Sequence, residues 1–239
     1  MLFRHTISGR LGCVISRLLA EMLAAVVPPA CVACRVALPR TELRLCGECT
    51  RALPWLPERV CRRCGLPTHR RGCPASRAAF AQAWAPFAYD GVARNLVAAL
   101  KFRAALPVAA LMAAHIAANL PADLRASRVL VPVPPQPSRR RRRGFDPAAE
   151  LCAALALRLD LPATACLVRR DHARRQVGAT RAQRRRRGRL AIELRAPPPR
   201  AALLIDDVHT TGATLDACAR TLVAGGCEEV VAITYARTL

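Results

Sequence analysis

The stretch ALLIDDVHTTGATLDACARTL, residues 202–222, restricts the fold more than any other part of the chain. It opens on an unbroken apolar run, as expected of a strand buried on both faces, and such strands belong to parallel sheets. The run ends in two adjacent carboxylates, Asp206 and Asp207, followed at once by the small and hydroxyl residues Thr210, Thr211, Gly212, Ala213 and Thr214. Next comes a helical pattern with apolar or small residues at Leu215, Cys218, Ala219, Leu222 and Val223, closed by Gly225 and Gly226.

The flanking sequence continues this alternation. AWAPFAYDG reads as strand and turn, VARNLVAALKFR and PVAALMAAHIAANL as helices, and RVLVPVP as a short buried strand leading into an arginine-rich loop. PAAELCAALALRL is helical, ACLVRR, LAIEL and AALLI are strand-like, and EVVAITYA closes the chain as a strand. Strands alternating with helices predict an α/β fold with a largely parallel sheet covered on both faces.

In such sheets ligands sit beyond the carboxyl ends of the strands. The apolar run delivers Asp206 and Asp207 to that edge, beside a helix N-terminus whose free N–H groups and dipole favour an anion. Gly212 lets the backbone approach closely, and Thr210, Thr211 and Thr214 add hydroxyl donors. The loop predicts a phosphate cradle. The carboxylates cannot bind phosphate, so they are expected to hold vicinal hydroxyls or Mg²⁺ attached to it. A ribose 5-phosphate has that shape.

Seven of the 12 cysteines lie between Cys31 and Cys73. Cys31 with Cys34 and Cys46 with Cys49 form two CxxC knuckles separated by 11 residues, a spacing that closes a tetrahedral thiolate zinc site. A disulfide framework is the alternative, but the short spacing and the lack of other secretory features favour metal. Cys61, Cys64 and Cys73 suggest a second zinc site; the place of a fourth cysteine is Ser76, and His69 is a candidate ligand. Cys13, Cys152, Cys166, Cys218 and Cys227 read as small buried hydrophobes.

The chain of 239 residues carries a net charge of +22, and its only lysine is Lys101. Residues 128–200 hold 19 arginines against 5 acidic residues, a concentration that favours a polyanionic partner or reflects genome composition. Near the N-terminus, Arg17 and Glu21 interrupt the apolar residues, so no run approaches the roughly 20 needed to span a bilayer. Leu11, Ile15, Leu18, Leu19 and Met22 instead share one face of an expected amphipathic helix. The expected organisation is a helix over 1–28, a double zinc-ribbon-like domain over 29–78 and an α/β domain over 79–239.

LLIDDVHTTGATL resembles the phosphoribosyl-pyrophosphate (PRPP) motif of type I phosphoribosyltransferases. Together with VPVPPQPSRRRRRGFDPAAELC, RRDHARRQVGATRAQRRRRGRLAI and the cysteine knuckles, the chain is similar over about residues 28–239 to the ComF family of competence-associated phosphoribosyltransferase-like proteins. The resemblance implies a type I phosphoribosyltransferase-like sheet behind an N-terminal zinc ribbon, in the cytoplasm, with structural Zn²⁺ and with Mg²⁺ accompanying PRPP. It implies that Asp206 and Asp207 hold the ribose hydroxyls, directly or through Mg²⁺, and that residues 210–214 hold the 5-phosphate. Arg143, in an RGF element, and Lys101, in a Lys-aromatic-Arg element, would serve the pyrophosphate side. Gln176 and Arg184 would belong to a hood over the site. The RGF element continues as Asp146-Pro147 where the family has Asn-Gln, and Arg187 stands where the family has Asn, so acceptor handling departs from the pattern. The implied reaction displaces pyrophosphate from the anomeric carbon; Asp207 is a candidate base by position, and the acceptor is open. The alternative is a non-catalytic accessory protein of DNA uptake that binds PRPP and single-stranded DNA, with competence or DNA-processing proteins as partners.

Overall fold

The computed structural model describes residues 29–40, 44–69, 72–102, 106–126, 128–170 and 191–239. The expected N-terminal amphipathic helix, Gln176, Arg184 and Arg187 lie outside these. The chain divides into two compact units, one ending at Ala52 and one over Leu53–Leu239. In the first, Cys46 caps a short helix α1 (Gly47–Arg51), its sulfur accepting from the Cys49 N–H.

The second unit contains strands β1 (Gln82–Trp84) and β2 (Phe87–Ala88), helices α2 (Gly91–Phe102) and α3 (Leu106–Asn119), and strand β3 (Val129–Pro132). Helices α4 (Pro137–Arg143) and α5 (Pro147–Leu159), strands β4 (Leu167–Arg169), β5 (Ile192–Leu194) and β6 (Ala201–His209), helix α6 (Ala213–Ala224) and strand β7 (Glu229–Arg237) follow. The main sheet has the order β1-β7-β6-β3, with β2 also on β7, and every pairing in it is parallel. The central strands β6 and β7 are buried along most of their length, as their unbroken apolar sequences require. Period-2 alternation splits their side chains between two layers. Ala202, Leu204, Val230 and Ala232 pack with Leu215, Cys218, Ala219 and Leu222 of α6, while α5 packs on β6 and β3.

Two features differ from the sequence expectation. The run PSRRRRR, expected as a loop, is the helix α4: Pro137 occupies the first turn, where its missing N–H is no loss, and arginine is a good helix former. Strands β4 and β5 do not join the parallel sheet but form an antiparallel ribbon of their own, which the bond from Arg170 N–H to the Ala191 carbonyl extends.

The second cysteine knuckle belongs to this unit. Cys64 and Ala75 are buried in the same core cluster as Phe80, Ala83, Leu204 and Leu215. Among the described residues no helix is long and apolar enough to cross a membrane.

Candidate functional site

The two knuckles share one backbone design. Cys31 N–H donates to the Val36 carbonyl and Arg35 N–H to Cys31; in the second, Cys61 N–H donates to Leu66 and Gly65 N–H to Cys61. The turn needs a left-handed residue after the second cysteine. Gly65 supplies it at φ 71°, and Arg35 adopts it at φ 70°.

Cys31, Cys34, Cys46 and Cys49 bring four sulfurs within 4.8 Å of one another, and Cys61, Cys64, His69 and Cys73 do the same with three sulfurs and a ring nitrogen. The Sγ atoms of Cys34 and Cys46 are 3.7 Å apart, and those of Cys61 and Cys73 3.8 Å. A disulfide would need about 2.05 Å. A tetrahedron of thiolates about 2.3 Å from zinc has edges of about 3.8 Å, so both clusters have zinc dimensions. Their electrostatics point the same way. Burial pushes the Cys31 thiol up, but the backbone N–H groups of Cys34, Cys46 and Ala33 outweigh it and bring it to about 6. His69 is the largest influence on Cys61, also brought to about 6. Burial and the neighbouring thiols hold Cys49 far above its ordinary value and Cys64 at about 11. Once one thiol in each cluster ionises, the others resist until a cation joins them. His69, the candidate fourth ligand in the sequence, thus completes the second set.

The second site is a cavity of ≈ 240 Å³ at the carboxyl ends of β3 and β6. These strands are neighbours whose following helices α5 and α6 cover opposite faces, the kind of place where open parallel sheets bind ligands. Strand β6 places Asp206 and Asp207 on its wall, and the loop into α6 adds Thr210 and Thr214. Thr211 and Ala213 are exposed on the same loop, where the Thr211 hydroxyl accepts from the Ala213 N–H. Gly212 caps α6 at φ 79°, and its carbonyl starts the helix by accepting from the Asp216 N–H.

The carboxylate pair is asymmetric. Asp207 is buried and its Oδ1 lies 2.7 Å from Lys101 Nζ, which α2 delivers from its last turn. Asp206 Oδ1 accepts the Asp207 N–H at 2.8 Å. Burial, and then the charge of Asp207, push the Asp206 carboxyl up to about 8. Two carboxylates in one recess repel, so a divalent cation or a pair of hydroxyl donors relieves them. The residues therefore fit Mg²⁺ with Asp206 and Asp207 as its holders.

Cations line the cavity as well. Arg139 and Arg143 of α4 and Arg169 of β4 face the same cavity as Lys101. The Arg143 guanidinium lies 5.2 Å from the centre of the Phe102 ring, and its buried Nε has no protein partner among the described residues, which suits an anion. Lys101 and Arg143, assigned from separate motifs, thus meet the carboxylates in one recess. Arg139 belongs to the arginine run that the sequence offers to a polyanion, whereas Arg169 and Asp146 are not singled out as site residues. Asp146 accepts from the Ala148 and Ala149 N–H groups as the cap of α5, a role its position before proline signals. Arg169 stands first in the RRDHARRQ element, and its segment is tied to β3 by the Leu130–Ala163 bridge and to β5 by pairing.

Residues 22–79 match the double zinc ribbon domain. The chain is also similar to Competence protein F of Haemophilus influenzae, with 34% identity over 113 residues, 45% of this chain and 49% of that protein. It thus spans about half the length of this curated relative. Together the comparisons bear out the resemblance to the ComF family and identify the cysteine region as a zinc ribbon.

Proposed function

We propose that this protein binds PRPP with Mg²⁺ in the β3–β6 cavity and acts as a phosphoribosyltransferase-like protein linked to DNA uptake or DNA utilisation. The observation that carries the reading is the placement of Asp206 and Asp207 beside the loop 210–214, with Lys101, Arg139, Arg143 and Arg169 around the same cavity. A ribose bearing a 5-phosphate and a 1-pyrophosphate needs hydroxyl acceptors and two anion sites, and residues of both kinds line this cavity. The link to DNA uptake rests on the name of the Haemophilus relative.

In this reading the 210–214 loop holds the 5-phosphate through N–H and hydroxyl donors at the mouth of α6. Asp206 and Asp207 accept from the 2- and 3-hydroxyls. Arg139, Arg143 and Lys101 face the pyrophosphate and offset its charge as the C1–O bond breaks and the bonding pair leaves with it. Bound Mg²⁺ supplies further charge neutralisation of the pyrophosphate. An acceptor nucleophile then bonds to C1 and gives up its proton, for which Asp207 is a candidate base by position. The thiolate metal sites suit the reducing cytoplasm.

Titration calorimetry with PRPP and Mg²⁺ tests the binding, and pyrophosphate release against panels of nucleobases, amines and single-stranded DNA tests turnover. Absence of heat with PRPP at millimolar concentration rejects the reading. A second reading, in which the protein binds PRPP and single-stranded DNA without turnover, is favoured by one observation: the arginines at 139–142 are exposed along α4, and the first of them lines the cavity.

A further inference from the structure

Arg237, the last residue of β7, carries a buried guanidinium whose described partners are all carbonyl oxygens. Its Nε donates to Cys64 O at 2.9 Å. Its Nη1 reaches His209 O at 2.9 Å, Thr210 O at 2.6 Å and Thr238 O at 2.7 Å. One planar cation therefore ties the second cysteine knuckle to the two residues that open the 210–214 loop.

That arrangement is expensive unless it does something. A buried guanidinium without a carboxylate is poorly compensated, and simple anchoring of a strand end is done more cheaply by neutral groups. The charges on either side explain it. Three thiolates and a neutral imidazole around a divalent ion would leave one negative charge on the knuckle side, where the Cys64 carbonyl meets Arg237. On the other side stands the loop proposed to hold a phosphate. Arg237 is thus a cation placed between an anionic metal centre and an anion site.

We infer that Arg237 is a positioning residue for the phosphate loop, and that occupancy of the Cys61–Cys64–His69–Cys73 centre sets the loop's conformation through it. The inference rests on the phosphate-loop reading for its consequence in binding, but the mechanical link is read from the four carbonyl contacts alone. Metal holds the Cys64 peptide in its turn, the Cys64 carbonyl fixes the guanidinium, and the guanidinium orients the His209 and Thr210 peptides from which the loop starts. When the metal leaves, the Cys64 carbonyl moves, and the guanidinium loses the partner that sets its plane.

The test uses the full chain in its zinc-loaded form. The variants are Arg237→Gln, Arg237→Lys and His69→Ala, the last touching only an exposed ligand. A core variant, Leu151→Ala, serves as a control for general loss of stability. Zinc content, amide NMR of residues 209–214, and affinity for ribose 5-phosphate and for PRPP with Mg²⁺ are measured on each. Arg237→Gln and His69→Ala should both shift the 209–214 amide signals and weaken ribose 5-phosphate on the order of tenfold. Their effects should not add in the double variant, because both act through one path. Arg237→Lys should recover part of the affinity, and Leu151→Ala should leave the loop signals in place. If Arg237→Gln does not fold, Arg237→Lys and His69→Ala carry the comparison. Unmoved loop signals in His69→Ala that has lost its zinc overturn the inference, whatever the ligand affinities. If wild type binds neither sugar phosphate while the loop signals still move, the proposed function falls and the coupling stands.

Discussion

The His209 imidazole lies directly beneath Gly212: a Cβ on Gly212 would meet its Nε2 at 2.7 Å. His209 is 3% exposed and meets the Phe80 ring edge-on, so it cannot retreat. The backbone at Gly212 is also left-handed, at φ 79°. Gly212→Ala combines a steric clash with an unfavourable backbone, each costing about 1–2 kcal/mol. PRPP affinity should fall at least tenfold while the zinc content stays at the wild-type value, as measured by calorimetry and metal analysis. Full affinity in this variant would remove the loop from the site.

Asp206→Asn with Asp207→Asn should abolish PRPP binding. Each acceptor removed is a charge-assisted hydrogen bond, and two of them account for a loss on the order of a hundredfold. The Asp206 carboxyl is already pushed up to about 8 by burial and by Asp207, so the fold prefers it neutral. Asp206→Asn alone should therefore not lower the melting temperature at pH 8 and above. A well-folded double variant with unchanged PRPP affinity contradicts the site.

Metal analysis of the purified chain should find about two zinc ions, one for each cluster. His69→Ala should lower the count towards one, and Cys34→Ser should release the other ion without removing the His69-linked one. A wild-type count near one, unaffected by His69→Ala, would show that the second cluster, His69 included, does not hold metal.

Acid should destabilise the second unit through two histidines. Burial, and then the charge of Arg237, hold His209 down at about 4, and burial lowers His115, whose Nδ1 is 2.9 Å from the Tyr235 hydroxyl. The rings of Phe80 beside His209 and of Phe87 beside His115 offer no charge to stabilise an imidazolium. Folded values below the unfolded ~6.5 mean that stability is complete above that pH and is lost as pH falls from there towards 4. Melting temperatures between pH 7 and 4.5 should fall less steeply in His209→Gln than in wild type. Equal slopes would mean that His209 already accepts a proton in the fold.

Single-stranded DNA should bind weakly and without sequence preference along the exposed arginines at 139–142. Replacing these four by glutamine should flatten the dependence of log affinity on log salt by roughly 0.7 for each phosphate that the run no longer neutralises. Arg143, set against Phe102 in the cavity, is left in place. An unchanged slope would assign the run to the pocket alone.

Much of this architecture is legible in the sequence because it rests on local rules. The buried strand β6, the loop of Thr and Gly residues and the helix α6 each follow from periodicity and capping, and PAAELCAALALRL forms α5 over its whole length. The first zinc cluster is legible for the same reason, since its spacing is the geometry. What escapes is made by distant pairing. Arg169 reaches the cavity from a segment that bridges to β3 at Ala163 and pairs with β5, and Arg237 meets Cys64 across 173 residues of chain. His69 stands between: the sequence offers it as one candidate ligand, and the fold brings it to the second cluster.

Cys64 and Ala75 lie in the core against Leu204 and Leu215, which gives the two knuckles opposite standing as heritable parts. The first sits in a unit that ends at Ala52 and has its own metal set. The second lends its residues to the sheet's own interior. A cut at residue 78, where the sequence suggests a seam, would take Cys64 and Ala75 out of the core that Leu204 and Leu215 share. The second ribbon is therefore inseparable from the α/β fold whose interior it completes.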